Sequence, residues 1–245
     1  MTNVEVAATV APNQLLDTAT LDDIQAFNED MDILELRIDQ WKQQHLELLE
    51  SNLKRLQDMN LSVKVLVTYR TLSQGGQGEM SYESYMALLN NIIKDYHCHM
   101  IDIEWDIEWD SDCDVSAYRD LVNLAHQNNK QVVISYHNFE ETPETDILKF
   151  TYYKMNQLNP DYVKIAVMPH GKEDVVTLLE AMAASADTLD AKVIGISMSS
   201  TGLVSRTAQG VFGGTVSYGC LGEPQAPGQI HINRLKQQLL FYENH

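Results

Sequence analysis

The sequence predicts a (β/α)8 barrel built as one domain over residues 1–245, and three observations point there. Eight short runs rich in apolar and β-branched residues begin every 22 to 38 residues, a spacing that suits successive strand–helix units. The stretches between them carry helical periodicity and capping residues. The first run passes into Val10-Ala11-Pro12-Asn13, without the glycine-rich phosphate loop that usually follows the first strand of an open, doubly wound sheet.

The predicted strands are 5–9, 33–37, 62–68, 100–104, 131–135, 162–166, 192–197 and 214–218. After the first, Thr20-Leu21-Asp22-Asp23 resembles a capping box. After the second, Leu46, Leu49, Leu53 and Leu56 recur on one helical face. Ser81 can cap the helix that holds Tyr85, Leu88, Leu89, Ile92 and Ile93. The fourth strand runs into a tandem, Ile103-Glu104-Trp105-Asp106 and Ile107-Glu108-Trp109-Asp110, whose second copy reads as loop. Thr142-Pro143 places a cap before a first-turn proline. Residues 175–186 and 233–242 read as the later helices. No glycine/serine-rich or proline-rich linker divides the chain.

Composition narrows the function classes. Apolar residues make up 44% of the chain and charged residues 21%, enough to build a large core. The formal net charge is −18, which repels nucleic-acid phosphates and anionic lipid surfaces. An anionic small molecule would therefore need a locally cationic pocket. The three cysteines, Cys98, Cys113 and Cys220, form no CxxC pair, which points to a reducing compartment rather than a disulfide framework. No apolar run approaches a membrane span and the N-terminus lacks a signal-peptide charge pattern, so a cytoplasmic protein is expected. His97-Cys98-His99 precedes the fourth strand, at the barrel end away from the expected chemistry, and adjacent ligands without further partners seldom close a metal site.

Barrel enzymes place their active sites at the C-terminal ends of the strands, and alternate strand residues point inward. Glu35 and Arg37 share one face of the second strand, either as groups facing a ligand or as an interior ion pair. Arg70 ends the third strand, as a ligand group or a solvated terminus. Asp102 and Glu104 share the inner face of the fourth, as catalytic helpers or counter-ions. His137 stands at the mouth end of the fifth strand on the face of Ser135. Lys164 lies in the middle of the apolar sixth strand, where a lysine either snorkels or is used, since a desolvated lysine near other cations becomes a nucleophile. The segment after the eighth strand, Gly222-Glu223-Pro224-Gln225-Ala226-Pro227-Gly228-Gln229, has the composition of a closing loop.

Six pieces in order, namely Glu35-Leu36-Arg37-Ile38-Asp39, Thr68-Tyr69-Arg70, Ser135-Tyr136-His137-Asn138-Phe139, residues 163–169, residues 202–206 and Ala226-Pro227-Gly228-Gln229, resemble the type I 3-dehydroquinate dehydratases, and most closely their Gram-positive forms. The resemblance implies a (β/α)8 barrel, usually a homodimer, with no metal and no cofactor. It implies dehydration of 3-dehydroquinate to 3-dehydroshikimate in the shikimate pathway. It further implies Lys164 as the Schiff-base lysine and His137 as the general acid/base. Glu35, Arg37 and Arg70 then hold substrate hydroxyls, while Arg206 and Gln229 hold the carboxylate. Three positions depart from the pattern: Gln74 where many members carry Glu beside the histidine, Asn138 where Asp is frequent, and Gln225 where many have Ser. Another Schiff-base barrel lyase, such as a class I aldolase, shares the lysine. A barrel that only binds its ligand is the alternative outside catalysis, and an interaction surface is the alternative for the acidic stretch 102–114.

Overall fold

The computed structural model describes residues 3–41, 45–105 and 115–243. Eight parallel strands form one sheet in the order β7-β6-β5-β4-β3-β2-β1-β8. They are β1 (Glu5–Val10), β2 (Ile33–Arg37), β3 (Lys64–Thr68), β4 (Met100–Glu104), β5 (Gln131–Asn138), β6 (Tyr162–Val167), β7 (Lys192–Ser197) and β8 (Val216–Cys220). The sheet curls into a nearly closed barrel. At the seam, Thr215 donates from its backbone N (3.0 Å) and Oγ1 (3.1 Å) to the Val193 carbonyl.

The described helices are α1 (Thr18–Ala26), α2 (His45–Asp58), α3 (Tyr82–Asp95), α4 (Val115–Gln127), α5 (Thr145–Asn156), α6 (Lys172–Ala186), α7 (Leu203–Thr207) and α8 (Ile232–Glu243). Leu49, Leu53 and Leu56 are buried on α2, and Ser81 caps α3 by accepting from Ser84 N, as the periodicity and capping pattern predict. Two predicted caps are corrected. Asp17, not Thr20, caps α1, its carboxylate accepting from Thr20 N. Thr142 does not cap α5, which starts three residues later; its hydroxyl donates to the Met168 carbonyl and ties two mouth loops together. Strand β5 runs three residues beyond its predicted end, so His137 sits on the ladder, paired with Ala166. Strand β8 lies two residues later than predicted. The second tandem copy and Cys113 lie outside the described residues. No helix among the described residues is long and apolar enough to cross a membrane.

The apolar core has two parts. The larger lies between the strands and the surrounding helices. The smaller fills the lumen with Ala7, Ile33, Leu66, Met100, Val133, Ile194 and Val216. Above that layer the inward positions turn polar: Glu35, Thr68, Asp102, Ser135 and Lys164, all buried. Strand alternation places both layers inward, since each of these residues stands two positions after a lumen residue. At the opposite end, Glu5 accepts from Lys64 Nζ (2.8 Å) and from the Tyr162 hydroxyl (2.9 Å), closing the floor. There His99 Nδ1 accepts from Val65 N at 3.0 Å, a structural task for that ring.

Candidate active site

At the C-terminal mouth a recess of about 520 Å³, open to solvent, brings together every site residue predicted from the sequence: Glu35, Arg37, Arg70, His137, Lys164, Arg206 and Gln229. It is also lined by Thr9, Gln74, Tyr218 and Gln225.

Lys164 is 5% exposed, and its Nζ stands 3.9 Å from the centre of the Tyr218 ring. Burial lowers its pKa to about 8; Arg70 and Arg37 push in the same direction, while Glu35 and Asp102 oppose them. At pH 7 about one molecule in ten then carries the free amine, against about one in three thousand for an unperturbed lysine.

Glu35 does not form the interior ion pair with Arg37 that sequence left open. Its two oxygens accept from Thr9 Oγ1 (2.7 Å) and Thr68 Oγ1 (2.9 Å). Burial raises its pKa, but Lys164, Arg37 and the Thr9 hydrogen bond outweigh that and keep it ionised. Arg37 instead forms a two-pronged pair with Asp39, Nε to Oδ1 at 2.7 Å and Nη2 to Oδ2 at 2.8 Å. Arg70 is not a solvated terminus. It is buried and donates to Glu104 (2.8 Å), Asp102 (2.9 Å) and Ser135 Oγ (2.9 Å). Asp102 and Glu104 are thus its counter-ions.

Arg206 differs from the other two arginines. It is 1% exposed and, among the described residues, donates only to the backbone carbonyls of Tyr218 (3.0 Å) and Pro227 (3.3 Å). Its Nε–H has no acceptor, and no carboxylate pairs with it among the described residues. Burial lowers its pKa to about 10, so it remains a cation. A buried, unpaired guanidinium on a pocket wall is a site for an anion. The Gln229 amide closes the same corner: its Oε1 accepts from Gln225 N and Ala226 N, and its Nε2 reaches Thr9 Oγ1 at 3.4 Å.

His137 is pinned by Gln74, which is only 4% exposed. Gln74 Nε2 donates to the Trp105 carbonyl (2.9 Å), and its Oε1 accepts from His137 N (2.9 Å). The first partner can only accept and the second only donate, so the amide has one orientation. Its oxygen also lies 3.2 Å from His137 Nδ1, which must therefore carry the hydrogen. Nε2 is left as the basic nitrogen. Burial, then the charges of Arg70, Lys164 and Arg37, hold the ring well below the usual histidine range, so it is neutral at neutral pH.

Sequence reasoning did not find Thr9 or Tyr218. Thr9 ends the first predicted strand and reads as an ordinary β-former. The signal for Tyr218 was its place two residues after Val216, on the inward face. A buried amine beside a neutral imidazole, with a lone cation opposite, can form a covalent carbonyl adduct, move protons and hold a carboxylate.

A family model described as type I 3-dehydroquinase matches residues 12–245. The chain is 77% identical over 245 residues to a 3-dehydroquinate dehydratase of Staphylococcus haemolyticus, covering 100% of both chains. It is 51% identical over 243 residues to one of Staphylococcus saprophyticus, covering 99% of this chain and 100% of the relative. Among solved structures it is similar to a type I 3-dehydroquinate dehydratase from Clostridium difficile with covalently modified comenic acid: TM-score 0.87, 26% identity, covering 100% of this chain and 94% of that one.

Proposed function

Because the chain belongs to the type I 3-dehydroquinase family, a family of hydro-lyases that dehydrate 3-dehydroquinate in the shikimate pathway, we propose that it does so through an imine on Lys164, with His137 as the general acid/base. What supports this is Lys164 itself, a buried amine with a pKa near 8 that shares a pocket with a neutral histidine and an unpaired arginine. The clostridial relative is described with covalently modified comenic acid.

The steps balance without a cofactor. The free amine of Lys164 adds to the substrate ketone, one proton is taken up from solvent and water leaves, giving an iminium that acts as an electron sink. His137 Nε2 takes the proton alpha to that carbon. The resulting imidazolium returns a proton to the hydroxyl departing from the next carbon, which leaves as water. Hydrolysis of the conjugated imine then frees the product and the lysine. Arg206 and Gln229 hold the carboxylate, and Glu35, Arg37 and Arg70 meet the hydroxyls. Arg37 and Arg70 are paired with Asp39, Asp102 and Glu104, so they supply oriented donors, and among the described residues Arg206 is the pocket arginine without a carboxylate partner. We extend the proposal to a cytoplasmic homodimer, although every group assigned to the chemistry comes from one chain.

The test is to add 3-dehydroquinate and follow the absorbance of the conjugated enone product, then quench with borohydride and map the reduced adduct. An adduct confined to Lys164 is expected. Enone formation with the adduct elsewhere would sink the imine assignment.

Gln74 carries a second expectation. A carboxylate at position 74 would stabilise the imidazolium, as an opposite charge at hydrogen-bonding distance raises a pKa by about 1–3 units. The acidic limb of the kcat profile reports His137 after the amine has been consumed in the imine. In Gln74→Glu that limb should move to higher pH, because the free base is lost sooner as pH falls. The second carboxylate oxygen would also face the Trp105 carbonyl with no proton between them, which explains an amide here. Superimposable limbs would show that Gln74 does not govern His137.

A further inference from the structure

The two-pronged pair between Arg37 and Asp39 has a third member. Asp39 Oδ2 also accepts from the backbone N–H of Gln77 at 3.0 Å. One buried carboxylate at the end of β2 thus grips an arginine of the pocket wall and the loop that follows β3. That loop begins with the 3-10 turn Leu72–Gln74 and so carries the amide that orients His137.

The loop has little freedom to sit elsewhere. Gly78 N donates to the Arg70 carbonyl (3.0 Å) and Gly76 N to the Thr71 carbonyl (2.8 Å). Gly75 is left-handed, at φ +80°. A Cβ on Gly76 would stand 2.1 Å from the Arg70 carbonyl oxygen, and one on Gly75 2.1 Å from the Phe139 ring. The glycines let the loop press onto β3 and the end of β5, and Asp39 fastens its far side. On the arginine, the fork uses Nε and one edge of Nη2. Only the Nη1 edge and the outer Nη2 hydrogen remain for a ligand, so the carboxylate sets which edge faces the pocket.

We propose that Asp39 is a positioning residue that sets two groups at once: the donor edge of Arg37 directly, and the His137 ring through Gln77, the glycine loop and Gln74. The Arg37 half rests on the proposed contact of Arg37 with substrate hydroxyls. The His137 half rests on geometry alone.

The isosteric Asp39→Asn, Arg37→Ala and their double variant separate the halves in the full-length enzyme. Asp39→Asn should raise KM and lower kcat, each by about 10- to 100-fold, the scale of a 1 Å misplacement in a catalytic site. In the Arg37→Ala background it should leave KM alone and still lower kcat. Nitrogen-15 spectra of histidine-labelled, ligand-free protein give a readout apart from turnover. His137, identified by the signals that His137→Ala removes, should show a fixed Nδ1–H tautomer in the wild type and an averaged one in Asp39→Asn. A change in KM with kcat and the nitrogen pattern at wild-type values overturns the His137 half. If Arg37→Ala raises KM and Asp39→Asn does not, the Arg37 half is overturned while the ligand role of Arg37 stands. If Arg37→Ala leaves KM unchanged, that ligand role fails, and with it the Arg37 half; the nitrogen pattern then decides the other half. Should Asp39→Asn not fold, Asp39→Glu keeps the charge and displaces it by one methylene; wild-type KM, kcat and nitrogen pattern in that variant would overturn both halves.

Discussion

Lys164→Ala is expected to lose turnover by at least about 10⁴-fold, because a positioned nucleophile contributes effective molarities on the order of 10⁵ M or more. It should also lose every borohydride-dependent adduct. The pocket retains its carboxylate and hydroxyl contacts, so substrate should still bind and inhibit no worse than it binds the wild type. The pH dependence sharpens the expectation. In the wild type the amine must be free to attack, and its pKa is lowered to about 8 by burial, with help from Arg70 and Arg37. The free fraction therefore rises with pH and saturates above that value, and kcat/KM should rise tenfold per pH unit below it and level off above. A limb that levelled only above pH 10 would mean that the lysine is not desolvated in solution. Full turnover by Lys164→Ala would end the covalent reading.

The barrel was legible because its evidence is local and repeated. Strand runs recur at unit spacing, and the inward polar positions of β2, β4 and β5 stand two residues apart on one face, so alternation alone assigns Glu35 with Arg37 and Asp102 with Glu104 to the lumen. Lys164 was conspicuous because nothing else in its strand is charged. What sequence could not supply is partner choice across the lumen. Glu35 and Arg37 look like a pair, yet the mouth lets Arg37 reach past the strand end to Asp39, while two threonines from β1 and β3 take Glu35. Tyr218 lies under the Lys164 amine because closure sets β8 beside β7, two strands from β6, and no residue near either position encodes that closure. Gln74 departs from the family pattern in a glycine-rich loop that could as well face solvent. Its burial follows from the fit of Gly75 and Gly76 against Phe139 and Arg70, a consequence of packing that appears only once β3 and β5 flank β4 at the mouth.

His137→Ala should cost turnover at least about 10³-fold, since each proton transfer served by a positioned side chain contributes about 10²–10⁴, and one ring serves both transfers here. The variant should still bind substrate and still give the borohydride adduct on Lys164, because addition of the amine to the ketone precedes the proton removal assigned to His137. Those two outcomes together separate His137 from Lys164, whose loss removes both adduct and product. The ring's environment says why it can act as a base at all. With Gln74 holding the hydrogen on Nδ1, and with burial and the charges of Arg70, Lys164 and Arg37 disfavouring the cation, Nε2 keeps its lone pair at neutral pH. The same environment makes the imidazolium formed after proton abstraction a stronger acid than an ordinary one, ready to pass its proton to the departing hydroxyl. The iminium charge favours the neutral ring before proton abstraction; once the proton has moved, the lysine nitrogen is a neutral enamine, whose electron pair reforms the iminium as the hydroxyl departs. Wild-type kcat in His137→Ala would assign the base elsewhere in the pocket. Loss of the adduct along with turnover would show that the ring is needed to form the imine, and not only to move the protons that follow.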